Sequence, residues 1–131
     1  KYHVGGSRTK RGMAGLSMGS MQTSRMVCRH PDLFSEVGIF SGFLHDWIST
    51  DEDANAHLAA LQGGSAFRNQ FHTFFRAMGE HDPFYQKFIE DDRLLAACGV
   101  PTTRKIYPEG IHDWNVWRRC LYDFAQMIFQ N

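Results

Sequence analysis

The sequence predicts an α/β fold in which a mostly parallel sheet is flanked by helices. Short apolar runs alternate with helix-length segments from Arg11 to the C-terminus. Two of the four runs stop at glycine or proline, and a third stops at Ser41-Gly42. The last segment places Trp114, Trp117, Leu121, Phe124 and Ile128 at spacings of 3, 4, 3 and 4, which is one stripe of a helix. Strands that alternate with helices pair in parallel, because each parallel neighbour needs a crossover and the helix supplies it.

Residues 1–10 show no periodicity. Arg11–Leu16 is a short, partly apolar run that enters Ser17 directly and reads as the end of a buried strand. Met18–His30 suits a helix packed by one side, and Pro31 closes it. Val37–Phe40 is a buried strand bounded by Ser41-Gly42. Residues 43–64 mix aromatic, acidic and glycine residues and predict an irregular excursion with one short helix near Asp53–Leu61. Phe71–Met78 is an aromatic-rich strand ending at Gly79. Pro83 opens a helix that runs to Cys98, where Gly99 stops it. Thr102–Tyr107 is the last strand, followed by Pro108-Glu109-Gly110 and the striped helix.

The 131 residues fit one domain. Lys+Arg and Asp+Glu balance at 14 each, so no field draws nucleic acid or anionic lipid. There is no transmembrane run, and Lys1–Gly6 has no apolar stretch of the kind a signal peptide carries. Cys28, Cys98 and Cys120 follow no zinc or redox spacing, which leaves buried thiols or one disulfide with a thiol over. No metal motif and no cofactor-binding motif is present.

Gly15-Leu16-Ser17-Met18-Gly19 fits G-x-S-x-G. Its physical demand is a sharp turn between strand and helix with a strained, exposed serine at the apex. Glycines flank the serine because a Cβ at either position is expected to collide with the turn. The following helix points its positive end at Ser17, and the backbone N–H of Met18 faces a developing oxyanion. A serine nucleophile needs a base, and the base needs an orienting acid. With this motif the chain order is serine, acid, histidine, the last two at strand ends. His112 follows the Thr102–Tyr107 strand and precedes the last helix. Asp82 follows the Phe71–Met78 strand and is the preferred acid, with Glu80 as its rival.

These residues resemble a known family. Ala14–Gly19, then His30-Pro31-Asp32-Leu33-Phe34 and Ile39-Phe40-Ser41-Gly42, are similar to the esterase-D-type esterases of the α/β-hydrolase fold. Gly110-Ile111-His112-Asp113-Trp114 with Val116-Trp117-Arg118 is similar to the same family's histidine motif. Within it the likeness is to the feruloyl and acetyl-xylan esterases of carbohydrate esterase family one. The resemblance implies Ser17 as nucleophile, Asp82 as acid, His112 as base and Met18 as an oxyanion donor through its backbone. It places Trp114 beside the site, and Phe43, Trp47 and Trp114 are the aromatic side chains available to stack a phenolic ring. Ser20 and Ile111 depart from the pattern, each standing where glycine is common.

The implied substrate is an acylated cell-wall carbohydrate, and the implied compartment is secreted or periplasmic, with cytoplasmic open. The family's earlier half supplies further strands and the second oxyanion N–H. It is therefore expected as a partner, on a separate or cleaved chain. An acyltransferase, a siderophore or thioester hydrolase, and an inactive carbohydrate-binding remnant are the alternatives.

Overall fold

The computed structural model describes residues 2, 4–44 and 50–130. Four parallel strands form one sheet in sequential order: β1 (Gly12–Leu16), β2 (Glu36–Phe40), β3 (Thr73–Gly79) and β4 (Thr103–Tyr107). The register pairs Leu16 with Phe40, Phe40 with Ala77, and Gly79 with Tyr107, so the strand C-termini line up along one edge of the sheet. The helices are α1 (Met18–Arg29), α2 (Asp51–Gln62), α3 (Ser65–Arg68), α4 (Tyr85–Cys98) and α5 (Trp114–Met127).

The central strands β2 and β3 are buried at every position. Continuous apolar character follows, because parallel strands are covered on both faces. On one face Val37, Ile39 and Phe74 pack with Val27 of α1, Leu61 of α2, Phe67 of α3 and Leu95 of α4. On the other, Phe40, Phe75, Ala77 and Tyr107 pack with Val116, Cys120 and Phe124 of α5. Full burial of each such phenylalanine contributes roughly 1.5–3 kcal/mol. Glu36 and Thr73, at the starts of β2 and β3, are buried polar exceptions, and Arg76 is a third, at 1% exposure in the middle of β3. Its guanidinium donates to Asp92 at 2.8 Å and to the Phe88 carbonyl at 3.0 Å, and lies 4.2 Å from the Phe88 ring centroid.

Three boundaries differ from expectation. Phe71 lies before β3, in the turn that leaves α3, and α4 opens at Tyr85 instead of Pro83. The reason for the second is that Asp82 takes the Phe84 N–H before the helix begins. The excursion also holds more helix than its composition suggested, with Thr50 capping α2 through Asp53 N–H at 3.1 Å. At the other end of α4, Gly99 adopts φ +69° and Val100 N–H donates back to Leu95 C=O at 2.9 Å.

The stripe on α5 is displaced from the one predicted. Val116, Cys120 and Phe124 are buried, and Trp117, Met127 and Ile128 are partly so. Trp114 and Leu121 stay 66% and 59% exposed. They lie on the side of α5 that faces β1, the edge strand, where no described element covers them.

Helix α1 is tied down by charge. Asp53 of α2 is buried and pairs with Arg25 at 2.6 Å and with Arg29, both on α1. Burial alone pushes the Asp53 carboxyl up, but the two guanidiniums and the Thr50 hydroxyl hold it below the usual carboxylate range. All three cysteines are free. Burial pushes the thiols of Cys28 and Cys120 up to about 12, so both are chemically quiet.

Candidate active site

Ser17 stands between β1 and α1 with φ +50° and ψ −118°, a conformation rarely adopted by a residue with a side chain. Ser17 N–H donates to Phe40 C=O at 3.0 Å, which fastens the turn to the end of β2. Ser17 C=O accepts from Ser20 N–H at 2.9 Å and from the Ser20 hydroxyl at 2.5 Å. Ser20, a departure from the family pattern, is thus a buried anchor of the strained turn. Ile111, the other departure, is 52% exposed and obstructs nothing.

The two glycines of the motif are not equivalent. A Cβ on Gly15 would lie 2.1 Å from Gly19 O and 2.3 Å from Gly19 C, contacts that only backbone movement can relieve. A Cβ on Gly19 meets nothing within 4 Å outside its own helix. The expected collision at Gly19 is therefore absent, because its missing side chain points away from the strand. Gly15→Ala is expected to cost about 3 kcal/mol or more of stability, and Gly19→Ala much less; denaturant unfolding of the two variants checks this.

The structure brings Ser17, His112 and Asp82 into one hydrogen-bonded row. His112 Nε2 lies 2.9 Å from Ser17 Oγ, and His112 Nδ1 lies 2.7 Å from Asp82 Oδ2. An ionised carboxylate only accepts, so Nδ1–H donates to Asp82 and Nε2 accepts from the Ser17 hydroxyl. The other carboxylate oxygen, Oδ1, accepts from Phe84 N–H at 2.9 Å. Both Asp82 oxygens are thus engaged, and its side chain is fully buried. Glu80 points elsewhere and accepts from Glu109 N–H at 3.2 Å.

Backbone contacts zip together the loops that carry Asp82 and His112. Glu80 N–H donates to Tyr107 C=O at 3.0 Å, and His81 N–H to Gly110 C=O at 2.8 Å. A Cβ on Gly79 would lie 2.5 Å from Gly110 O, so the loops approach as closely as backbone allows. Residues 107–110 form a turn closed by Gly110 N–H on Tyr107 C=O at 3.1 Å, with Pro108 second and Glu109 third at φ +57°. Asp113 then caps α5, accepting from Asn115 and Val116 N–H groups at 3.0 and 3.3 Å. His112 is held between that turn and that cap. Met18 opens α1, so its N–H belongs to the first helical turn, whose donors lack intrahelical partners.

The aromatic candidates divide: Trp114 lines a hollow next to Leu16, while Phe43 is buried. Trp114 does not reach the imidazole: it packs on Trp117 at 5.2 Å between centroids, and Trp117 packs on His112 at 5.2 Å. Phe84 sits 5.4 Å from the His112 ring, and Phe43 sits 5.7 Å from Phe84. Phe43 is only 6% exposed, which makes it packing behind the site and not a platform for a bound ring. Trp47 lies outside the described residues. Phe84, the Gly79–Gly110 contact and the Asp113 cap were missed in the sequence. An aspartate immediately before an apolar stripe was the one readable signal among them. Beside the Ser17 turn an apolar hollow of about 200 Å³ is lined by Ala14, Leu16, Phe40, Trp114, Trp117 and Leu121, among others. Among the described residues, Glu80, His81 and Glu109 form the one grouping with ligand atoms within 4.8 Å of one another, all three exposed.

The parallel sheet flanked by helices, with Ser17, Asp82 and His112 following β1, β3 and β4, is of the α/β-hydrolase fold. The chain belongs to the family described as "Putative esterase", which matches residues 1–127. An endo-1,4-beta-xylanase/feruloyl esterase of Xylanibacter ruminicola is 29% identical over 122 residues, covering 92% of this chain and 14% of that protein. The structure of a ferulic acid esterase aligns with TM-score 0.73 and 25% identity over 90% of this chain and 50% of its own. An S-formylglutathione hydrolase of Staphylococcus aureus shares the fold, with TM-score 0.71 and 21% identity over 92% and 52% of the two chains. The chain thus spans about half the length of these structures and a small part of the curated relative.

Proposed function

We propose that this chain carries the nucleophile, base and acid of a serine carboxylic-ester hydrolase. The observation that carries the reading is the row Ser17–His112–Asp82, with Ser17 on a strained turn at the head of α1. Ser17 Oγ attacks the ester carbonyl while His112 Nε2 takes its proton, and Asp82 stabilises the imidazolium. Met18 N–H stabilises the oxyanion. His112 then protonates the leaving alcohol, and water activated by the same base releases the acid from Ser17.

The favoured substrates are feruloyl, then acetyl, esters of plant cell-wall polysaccharides, supported by the names of the curated relative and of the ferulic acid esterase. The first half of the domain completes the site, in our reading. β1 is an edge strand, and exposed Trp114 and Leu121 flank it. An added strand would pair with β1, cover that apolar surface and bring the second oxyanion donor.

The test uses the complete enzyme, with the first half present. A fluorophosphonate probe is expected to modify Ser17, and a feruloyl ester is expected to outrun an acetyl ester and an acyl-glutathione thioester. Absence of label would favour the inactive carbohydrate-binding alternative. Faster thioester turnover would move the substrate class, and transfer to added alcohols in preference to water would make the protein an acyltransferase.

A further inference from the structure

We infer that Trp117 is a positioning residue for the base, acting with Phe84 as a clamp on the His112 imidazole; this rests on the esterase reading above. The two hydrogen bonds of His112 hold its nitrogens, one on Asp82 and one on Ser17. They resist sliding, but a ring pinned at two points still tilts about the line joining them. Resistance to tilt has to come from packing. Two aromatic rings provide it, Phe84 at 5.4 Å and 77° and Trp117 at 5.2 Å and 90°. Both angles are the edge-to-face arrangement that aromatic pairs favour.

The clamp is anchored on both sides. Phe84 is fixed by its own N–H, which donates to Asp82 Oδ1, so the acid and the first jaw are one unit. Trp117 sits in the first turn of α5, where its N–H donates to Asp113 C=O at 3.1 Å. Its outer side is backed by Trp114 at 5.2 Å and 78°. The Trp117 indole Nε1 is buried and has no hydrogen-bond partner among the described residues. The indole therefore supplies packing within this set, at the cost that an unmade buried hydrogen bond carries.

That last point separates positioning from plain stability. Trp117→Phe keeps an aromatic edge for His112 and removes the orphan donor. Trp117→Ala removes the jaw. The readout in the complete enzyme is fluorophosphonate modification of Ser17, in which Ser17 Oγ bonds to phosphorus, fluoride leaves and His112 takes the proton. Rate and extent are measured separately. Trp117→Ala is expected to slow modification and lower kcat about 10-fold or more, with KM within about twofold, while final label per folded chain stays at the wild-type value. Trp117→Phe is expected to recover to within about threefold of wild type. Tyr122→Ala, which trims an exposed ring of the same helix, is expected to change neither number.

Trp117→Ala labelling at the wild-type rate overturns the clamp, as does a loss confined to the extent of labelling. If Trp117→Ala does not fold, Trp117→Leu takes its place, filling volume without an aromatic edge, with the same slowing expected. Wild-type protein that never labels removes the esterase reading itself, and the clamp with it. Wild-type protein that labels while the variants match it removes only the clamp.

Discussion

Ser17→Ala is expected to lower kcat for ester hydrolysis by at least about 10⁴-fold in the complete enzyme. The alanine leaves the fold almost untouched. Its Cβ occupies the same strained backbone, with φ near +50°, and the turn is held by Ser17 N–H on Phe40 and by Ser20 on Ser17 C=O, none of which uses the hydroxyl. Only the hydrogen bond to His112 Nε2 disappears. The measurement is steady-state turnover of a feruloyl ester beside a thermal melt. A dead enzyme with an unchanged melt fits the nucleophile assignment; an enzyme that keeps even a tenth of its activity removes it.

Asp82→Asn is expected to cost about 10³–10⁴ in kcat, and the reason lies in how both carboxylate oxygens are used. Oδ2 accepts from His112 Nδ1–H and Oδ1 accepts from Phe84 N–H. An amide has one accepting atom and one donating group. If its oxygen stays on Phe84, its NH₂ faces Nδ1 and forces the proton to Nε2, where it blocks the Ser17 hydroxyl. If its oxygen turns to His112, the NH₂ confronts Phe84 N–H, and two donors meet in a buried place. Neither orientation is neutral. Glu80→Gln is the matched control, since Glu80 only receives Glu109 N–H at the exposed rim. It is expected to stay within about threefold of wild type. Parallel kcat measurements on the two variants decide between the acids; a larger loss at Glu80 reverses the assignment.

Much of the architecture was readable because each strand end is marked locally. Gly79, Gly99 and Pro108 stand where the chain turns, and the run from Arg11 to Ser17 announces the elbow. The positions of Asp82 and His112 followed from the same marks. What was hidden depends on partners distant in sequence. The spacing of Trp114, Trp117, Leu121, Phe124 and Ile128 locates a stripe but not which neighbouring stripe meets the sheet. Val116 and Cys120 do so because Phe40, Phe75 and Tyr107 lie beneath them. Arg76 sits inside an aromatic run because Asp92 and the Phe88 carbonyl arrive from α4. Phe43 is inward for a similar reason: Phe84, in the loop after β3, packs against it. Gly15 and Gly19 look alike in the motif, and only the direction of the absent Cβ separates them.

The backbone zipper between Gly79–His81 and Tyr107–Gly110 has a bearing on how this fold can be altered. With carbonyls and amides of one loop spoken for by the other, neither loop accepts an insertion without moving both Asp82 and His112. Variation in these two loops is confined to side chains that point outward, such as Ile111 and Glu109. Added length is compatible with the present geometry of Ser17, Asp82 and His112 only outside these two loops.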